Sequence, residues 1–126
     1  MNRLILLLFT CLLTIPVLGQ SDVYNALSKG DVDAIANHLD NNVELCIFDQ
    51  EDIFTRQKAI SMLRDFFAQH APKGFKQMHS GASKGRDANY AIGQLSTGTG
   101  TYRVYLYFDT RNDKQVIKEL RIEHNR

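Results

Sequence analysis

Cysteine is scarce in this sequence, and the shortage limits what can hold the fold together. Only Cys11 and Cys46 occur. Cys11 falls inside an N-terminal leader, so the processed chain keeps one thiol and can form no internal disulfide. Cys46 stands between Leu45 and Ile47 in an apolar alternation, the setting of a buried and inert thiol. An excess of one charge sign is also missing. Fifteen basic residues face fourteen acidic ones, and the surplus is Arg3 of the leader. A balanced chain gives no electrostatic reason to expect nucleic acid or an anionic membrane as partner. Internal repeats, low-complexity tracts and long disordered tails are absent. So are a GxxxxGKS/T phosphate loop, a GxGxxG opening a helix, HExxH and GxSxG. The glycines of Gly98–Tyr102 precede a strand, the wrong context for a dinucleotide fingerprint, and no motif implies a cofactor.

The one long hydrophobic run is Leu4 to Leu13. With Arg3 before it and Pro16 and Gly19 after it, MNRLILLLFTCLLTIPVLG has the order of a secretory signal peptide. The run is shorter than the ~20 residues that span a bilayer. Residues 1–19 are therefore expected to be removed, and 20–126 to form one domain exported to the periplasm or beyond, with no stable membrane span. Phe9 and Thr10 before Cys11 argue against a lipid-modified cysteine. The remaining hundred or so residues suffice for one core.

Val23, Tyr24, Ala26 and Leu27 lie at helical spacing before Gly30, and Asp31 can cap a second short helix carrying Val32, Ile35, Ala36 and Leu39 on one side. Val43, Leu45 and Ile47 alternate as a first strand. Asp49–Asp52 is expected to be a solvated acidic turn, since an EF-hand's glycine and closing glutamate are missing and no metal is implied. Thr55 caps a long helix whose apolar face is Ala59, Met62, Leu63, Phe66 and Phe67. Four further extended segments follow, around Phe75–His79, Ala88–Leu95, Tyr102–Phe108 and Gln115–Glu123. Lys84–Arg86, Ser96–Gly100 and Thr110–Lys114 are the turns between them, and Gly93 marks a bend or bulge. The expected fold is α+β: a strongly curved antiparallel sheet with one long and two short helices on one face.

LSKGDVDAIANHLDNNVEL, MLRDFFAQHAP, FKQMHSG, YAIGQLSTGTGTYRVYLYF and IKELRIE together resemble the cone-shaped fold of the nuclear transport factor 2-like (cystatin-like) superfamily. More narrowly, the chain resembles DUF4783, a family of small exported Bacteroidetes domains of unknown function. The resemblance implies a cup walled by the sheet, a small ligand in the cone being one partner it allows. Enzymes of the superfamily suggest an Asp–His or Tyr–Asp pair moving a proton.

Candidates for such a site are His79, Tyr90, Arg103, Tyr105 and Tyr107. No catalytic residue is assigned, because His79 lacks an evident carboxylate: Asp87 and Asp109 lie at strand ends, and Asp49 is a weaker choice. General acid–base chemistry needs both groups within hydrogen-bond reach of one substrate atom. His38, His70 and His124 lie near element ends and make a poor zinc set. Arg103 with Tyr105 and Tyr107 gives a strand face able to hold a carboxylate or sugar, or to pack on a second copy as a homodimer. The expectation is a non-catalytic binding or interaction module. A small pocket enzyme using His79 with a tyrosine or aspartate is the alternative.

Overall fold

Gly30, at φ +68°, ends the first helix in a left-handed turn that suits a residue without Cβ. Its N–H donates to the Leu27 carbonyl at 3.3 Å and that of Asp31 to Ala26 at 2.9 Å, the paired bonds of a Schellman cap. The computed structural model describes residues 20–82 and 88–125. The leader and residues 83–87, with the turn expected at Lys84–Arg86, lie outside them. Helix α1 is Gln20–Lys29 and α2 is Val32–Ala36, the latter capped by the Asp31 carboxylate, which accepts from the Ala34 N–H at 3.1 Å. Thr55 starts α3, Arg56–Gln69, its hydroxyl accepting from the Lys58 N–H at 3.2 Å. Ala59, Leu63, Phe66 and Phe67 are the buried face, as their spacing predicts.

Six strands follow from the remaining pattern: β1 Leu39–Ile47, β2 Gln50–Thr55, β3 Pro72–Ala82, β4 Ala88–Thr97, β5 Gly100–Arg111 and β6 Lys114–His124. Their order is β2-β1-β6-β5-β4-β3. The antiparallel run β3 to β6 agrees with the sequence. The expectation of a strongly curved, all-antiparallel cone does not hold, because β1 pairs with β6 in parallel. The sheet is mixed and open, with β2 and β3 as edges at opposite ends of the strand order, and it does not close into a cone. The parallel pair is reached through β2, α3 and the whole meander, a crossover that leaves no local mark in the sequence.

The acidic stretch expected as a turn is instead mostly strand. The β1–β2 turn is only Phe48 and Asp49, between the paired residues Ile47 and Gln50, and Glu51 and Asp52 belong to β2. Asn112 and Asp113, at φ 50° and 62°, make the two-residue turn joining β5 to β6. Positive φ at both positions matches the strands' twist, which is why Asn and Asp serve there. The bulge expected near Gly93 lies across from it: Gln77 pairs with Gly93 and His79 with Ile92, leaving Met78 extra on β3.

A second bulge governs the centre. Tyr107 pairs with Glu119 and Phe108 with Ile117, so Lys118 is the extra residue of β6. Gln115 and Ile117 therefore turn inward, and Val116 between them is only half-buried. The displaced Lys118 ammonium reaches Asp40 on β1 at 2.7 Å, and Arg111 reaches the same carboxylate at 3.1 Å. Asp40 is 13% exposed. Its carboxyl pKa is held down to about 2, first by the Lys118 hydrogen bond, with the Asn41 N–H and Arg111 adding to it against the cost of burial. A depressed pKa stabilises the fold above the unfolded value and loses that contribution as pH falls through about 4 to 2. Asp40→Asn should therefore cost about 1–2 kcal/mol at neutral pH after solvent screening of the half-exposed Arg111. The deficit should vanish near pH 2 in denaturant titrations at both pH values.

Candidate functional site

The interior holds side chains where a cup would need space. Phe108, Leu27, Ile35, Leu45, Leu63, Leu95, Val104, Ile117, Leu120 and Ile122 are all fully buried. Among the described residues, no buried side-chain nitrogen or oxygen lacks a hydrogen-bond partner. Concave surfaces instead lie on the sheet's outer face and at its rim.

Strand alternation places the five sequence candidates on β3, β4 and β5. Register then aligns them in rows. Tyr90, Tyr107, Glu119, Glu44 and Ile53 form one row across β4, β5, β6, β1 and β2. His79, Ile92, Tyr105 and Arg121 form the next, and Gln94, Arg103 and Glu123 a third. Tyr90, Tyr105 and Tyr107, with Glu119 and Arg121, border a shallow cavity of about 180 Å³. Tyr90 is 46% and Ile53 66% exposed, so apolar surface faces solvent at both ends of their row.

His79 stands apart from this group: it is exposed on the edge strand β3, and it joins none of the side-chain hydrogen bonds seen among the described residues. Asp109 forms an ion pair with Arg111 at 3.1 Å, and Asp87 lies outside the described residues. The Arg103 guanidinium approaches the Tyr105 hydroxyl at 3.5 Å and has no carboxylate within ion-pair distance among the described residues. Arg121 is engaged, contacting Glu51 at 2.7 Å, Glu123 at 3.2 Å and Glu119 at 3.6 Å. Burial, and then the neighbouring Glu44 charge, push the Glu119 carboxyl above its ordinary pKa, against the pull of Arg121.

At the rim, the β1–β2 turn projects beside the end of β6. Phe48 is held there at φ 54°, and its N–H donates to the Ile122 carbonyl at 3.0 Å. A bulky residue in that region costs energy, which ring packing offsets. Phe48 stacks on His124 with centroids 4.5 Å apart, and meets Tyr102 at 5.4 Å, His70 at 5.8 Å and Phe66 at 6.0 Å. Two cavities share Phe48 and Asp49. The outer one, about 420 Å³, adds Arg103, Tyr105, Glu123 and His124. The other, about 300 Å³, runs along the end of α3 past Asp65, Gln69 and His70.

Behind Phe48, His70 Nδ1 lies 2.6 Å from the Thr99 hydroxyl and 3.1 Å from that of Tyr102. Tyr102 is 6% exposed, so this network ties the end of α3 to the β4–β5 turn instead of presenting an acid–base pair to solvent. Sequence reading left His70 and His124 as unrelated histidines and missed Phe48 and Tyr102 as their common neighbours. His38 lies elsewhere, its Nδ1 3.3 Å from the Gln115 carbonyl. Among the described residues, no cluster of three His, Cys, Asp or Glu could hold a metal, and no helix is long and apolar enough to cross a membrane.

The family described as "Domain of unknown function (DUF4783)" matches residues 20–123. A crystal structure of a DUF4783 family protein from Bacteroides fragilis YCH46 is 30% identical, with a TM-score of 0.76 over 82% of this chain and 96% of that one. One from Bacteroides uniformis ATCC 8492 is 25% identical, with a TM-score of 0.78 over 85% of this chain and 97% of that one. A protein described as "Rd1NTF2_04 with long sheet", 17% identical, shares the fold with a TM-score of 0.64 over 81% of this chain and 94% of that one. No protein of curated function matches the chain.

Proposed function

The chain belongs to the DUF4783 family, within the nuclear transport factor 2-like superfamily, and on that premise we propose that it is an exported, non-catalytic interaction module. Its working surface is the open face of the sheet, and its partner there is a second copy of the chain. The observation that carries this reading is the contrast between a filled interior and an outer face bearing Tyr90, Tyr105 and Tyr107 around a shallow apolar hollow. Aromatic residues and arginine are the types that interfaces concentrate. Export rests on the order of charge, apolar run and small residue in 1–19.

Charge selects the second copy over an unrelated partner. Arg103, which has no carboxylate within ion-pair distance among the described residues, stands at one end of the face, and the neighbouring carboxylates Glu44 and Glu119 stand at the other. Arg103 and Tyr107 are separated by about 14 Å at ~3.4 Å per residue. A two-fold axis in the sheet plane and across the strands reverses strand direction. It lays Arg103 of one copy over the Glu119–Glu44 row of the other, with tyrosines meeting between them. An isologous contact of this kind satisfies both charges twice.

Sedimentation equilibrium should find a dimer at micromolar concentration and neutral pH, and a monomer for Arg103→Glu. Acid should weaken the dimer, because protonating Glu119, whose pKa is raised, removes the anion that Arg103 meets. A protein that stays monomeric near millimolar concentration at neutral pH sinks the proposal.

A further inference from the structure

The outer rim cavity presents both signs of charge beside an aromatic wall; it shares Arg103 and Tyr105 with the proposed face-to-face contact, and the Phe48–Asp49 turn lies outside that contact. Its volume of about 420 Å³ is in the range that small ligands occupy. Arg103 supplies a guanidinium, with the Tyr105 hydroxyl at 3.5 Å as a second donor directed to the same region. Asp49, at the tip of the β1–β2 turn, supplies an exposed carboxylate that takes part in no ion pair among the described residues. Glu123 lines the cavity too, but Arg121 already holds it at 3.2 Å. The stacked Phe48 and His124 rings form the remaining wall.

A simple anion on Arg103 would face Asp49 and Glu123, and a simple cation on Asp49 would face Arg103. A ligand carrying both charges meets neither objection. We propose that this cavity binds a small zwitterion with a flat apolar side group: a free aromatic amino acid. The carboxylate lies on Arg103 and the Tyr105 hydroxyl, the ammonium on Asp49, and the side group against the Phe48–His124 pair. Arginine suits the first role because its planar fork engages a carboxylate with two parallel N–H donors. Its remaining donors stay available to the Glu119 of a second copy.

Calorimetric titration of the purified protein with L-phenylalanine, 3-phenylpropionate and phenethylamine tests the proposal, with His124 and Tyr105 ring signals followed by NMR. L-Phenylalanine should bind and move both signals. Each analogue keeps one of the two charges and should bind at least about tenfold more weakly, the usual consequence of losing one charge-assisted hydrogen bond. Asp49→Asn should weaken L-phenylalanine by a similar factor while leaving phenylpropionate unaffected or improved. The same variant should sediment like the parent protein, because Asp49 lies outside the proposed two-fold contact, so failure here and failure of the dimer are separate results. The proposal is overturned if phenylpropionate binds as well as L-phenylalanine, if Asp49→Asn changes nothing, or if no ligand binds at about 10 mM, far above the affinity expected of two charge-assisted bonds.

Discussion

Phe108→Ala is expected to lower the unfolding free energy by about 3–5 kcal/mol, the range for emptying a buried aromatic site. Phe108 is fully buried on the inner face of β5, between Asn89 of β4 and Ile117 of β6 in the register. It is among the largest fully buried side chains of the interior. For a domain of this size, 1 kcal/mol corresponds to roughly 4–8 °C, so the melting temperature should fall by about 15 °C or more. Phe108→Leu, which keeps most of the volume, should lose much less. Urea titrations of the three proteins measure the difference. A neutral Phe108→Ala would mean that the interior has room to spare, and the reasons for locating function on the outer face would fail.

Gly93→Ala should cost about 2–3 kcal/mol, for the opposite reason: too little space. A Cβ at position 93 would collide with the Phe75 ring and come within 2.8 Å of the Lys76 carbonyl oxygen. The ring could swing away, but it stacks on Tyr24 of α1 with centroids 5.4 Å apart. Relief of the clash therefore loosens the helix from the sheet. The Lys76 oxygen is backbone, within the β3–β4 ladder and two residues before the Met78 bulge on the same strand, and can yield only if the ladder shifts. Phe75→Ala in the same chain should rescue part of the loss, giving a double variant more stable than the two single effects sum to. Thermal unfolding of a Gly93→Ala protein within about 0.5 kcal/mol of the parent, the ordinary scatter of surface substitutions, would refute the packing argument.

These two sites also show what sequence can carry. Period-2 alternation was enough to send Tyr102, Val104, Leu106 and Phe108 inward and Arg103, Tyr105 and Tyr107 outward. Thr55, Asp31 and Gly30 announced their helix boundaries because caps act over three or four residues. Strand β2 was not legible: as an edge strand it is exposed at every position but Phe54, so no apolar face marks it. The Lys118 bulge was hidden for a related reason, since one extra residue reverses the phase of the alternation before it. The parallel β1–β6 pair, and with it the open sheet, depends on residues about eighty positions apart. The rim cavity follows from that pair, because only the docking of β1 on β6 brings Phe48 and Asp49 beside His124 and Arg103. Its residues could be recognised singly in the sequence but not as neighbours.

The place of β6 in the strand order has a consequence for how the molecule comes to exist. β6, the last of the six described strands in chain order, lies between β1 and β5, in the middle of the sheet. Until it emerges, the first hairpin with its long helix and the three-stranded remainder share no ladder. Assembly must therefore wait for β6, and such distant pairing makes for slow folding. A chain built in this order keeps its sheet in two separate parts until β6 joins them.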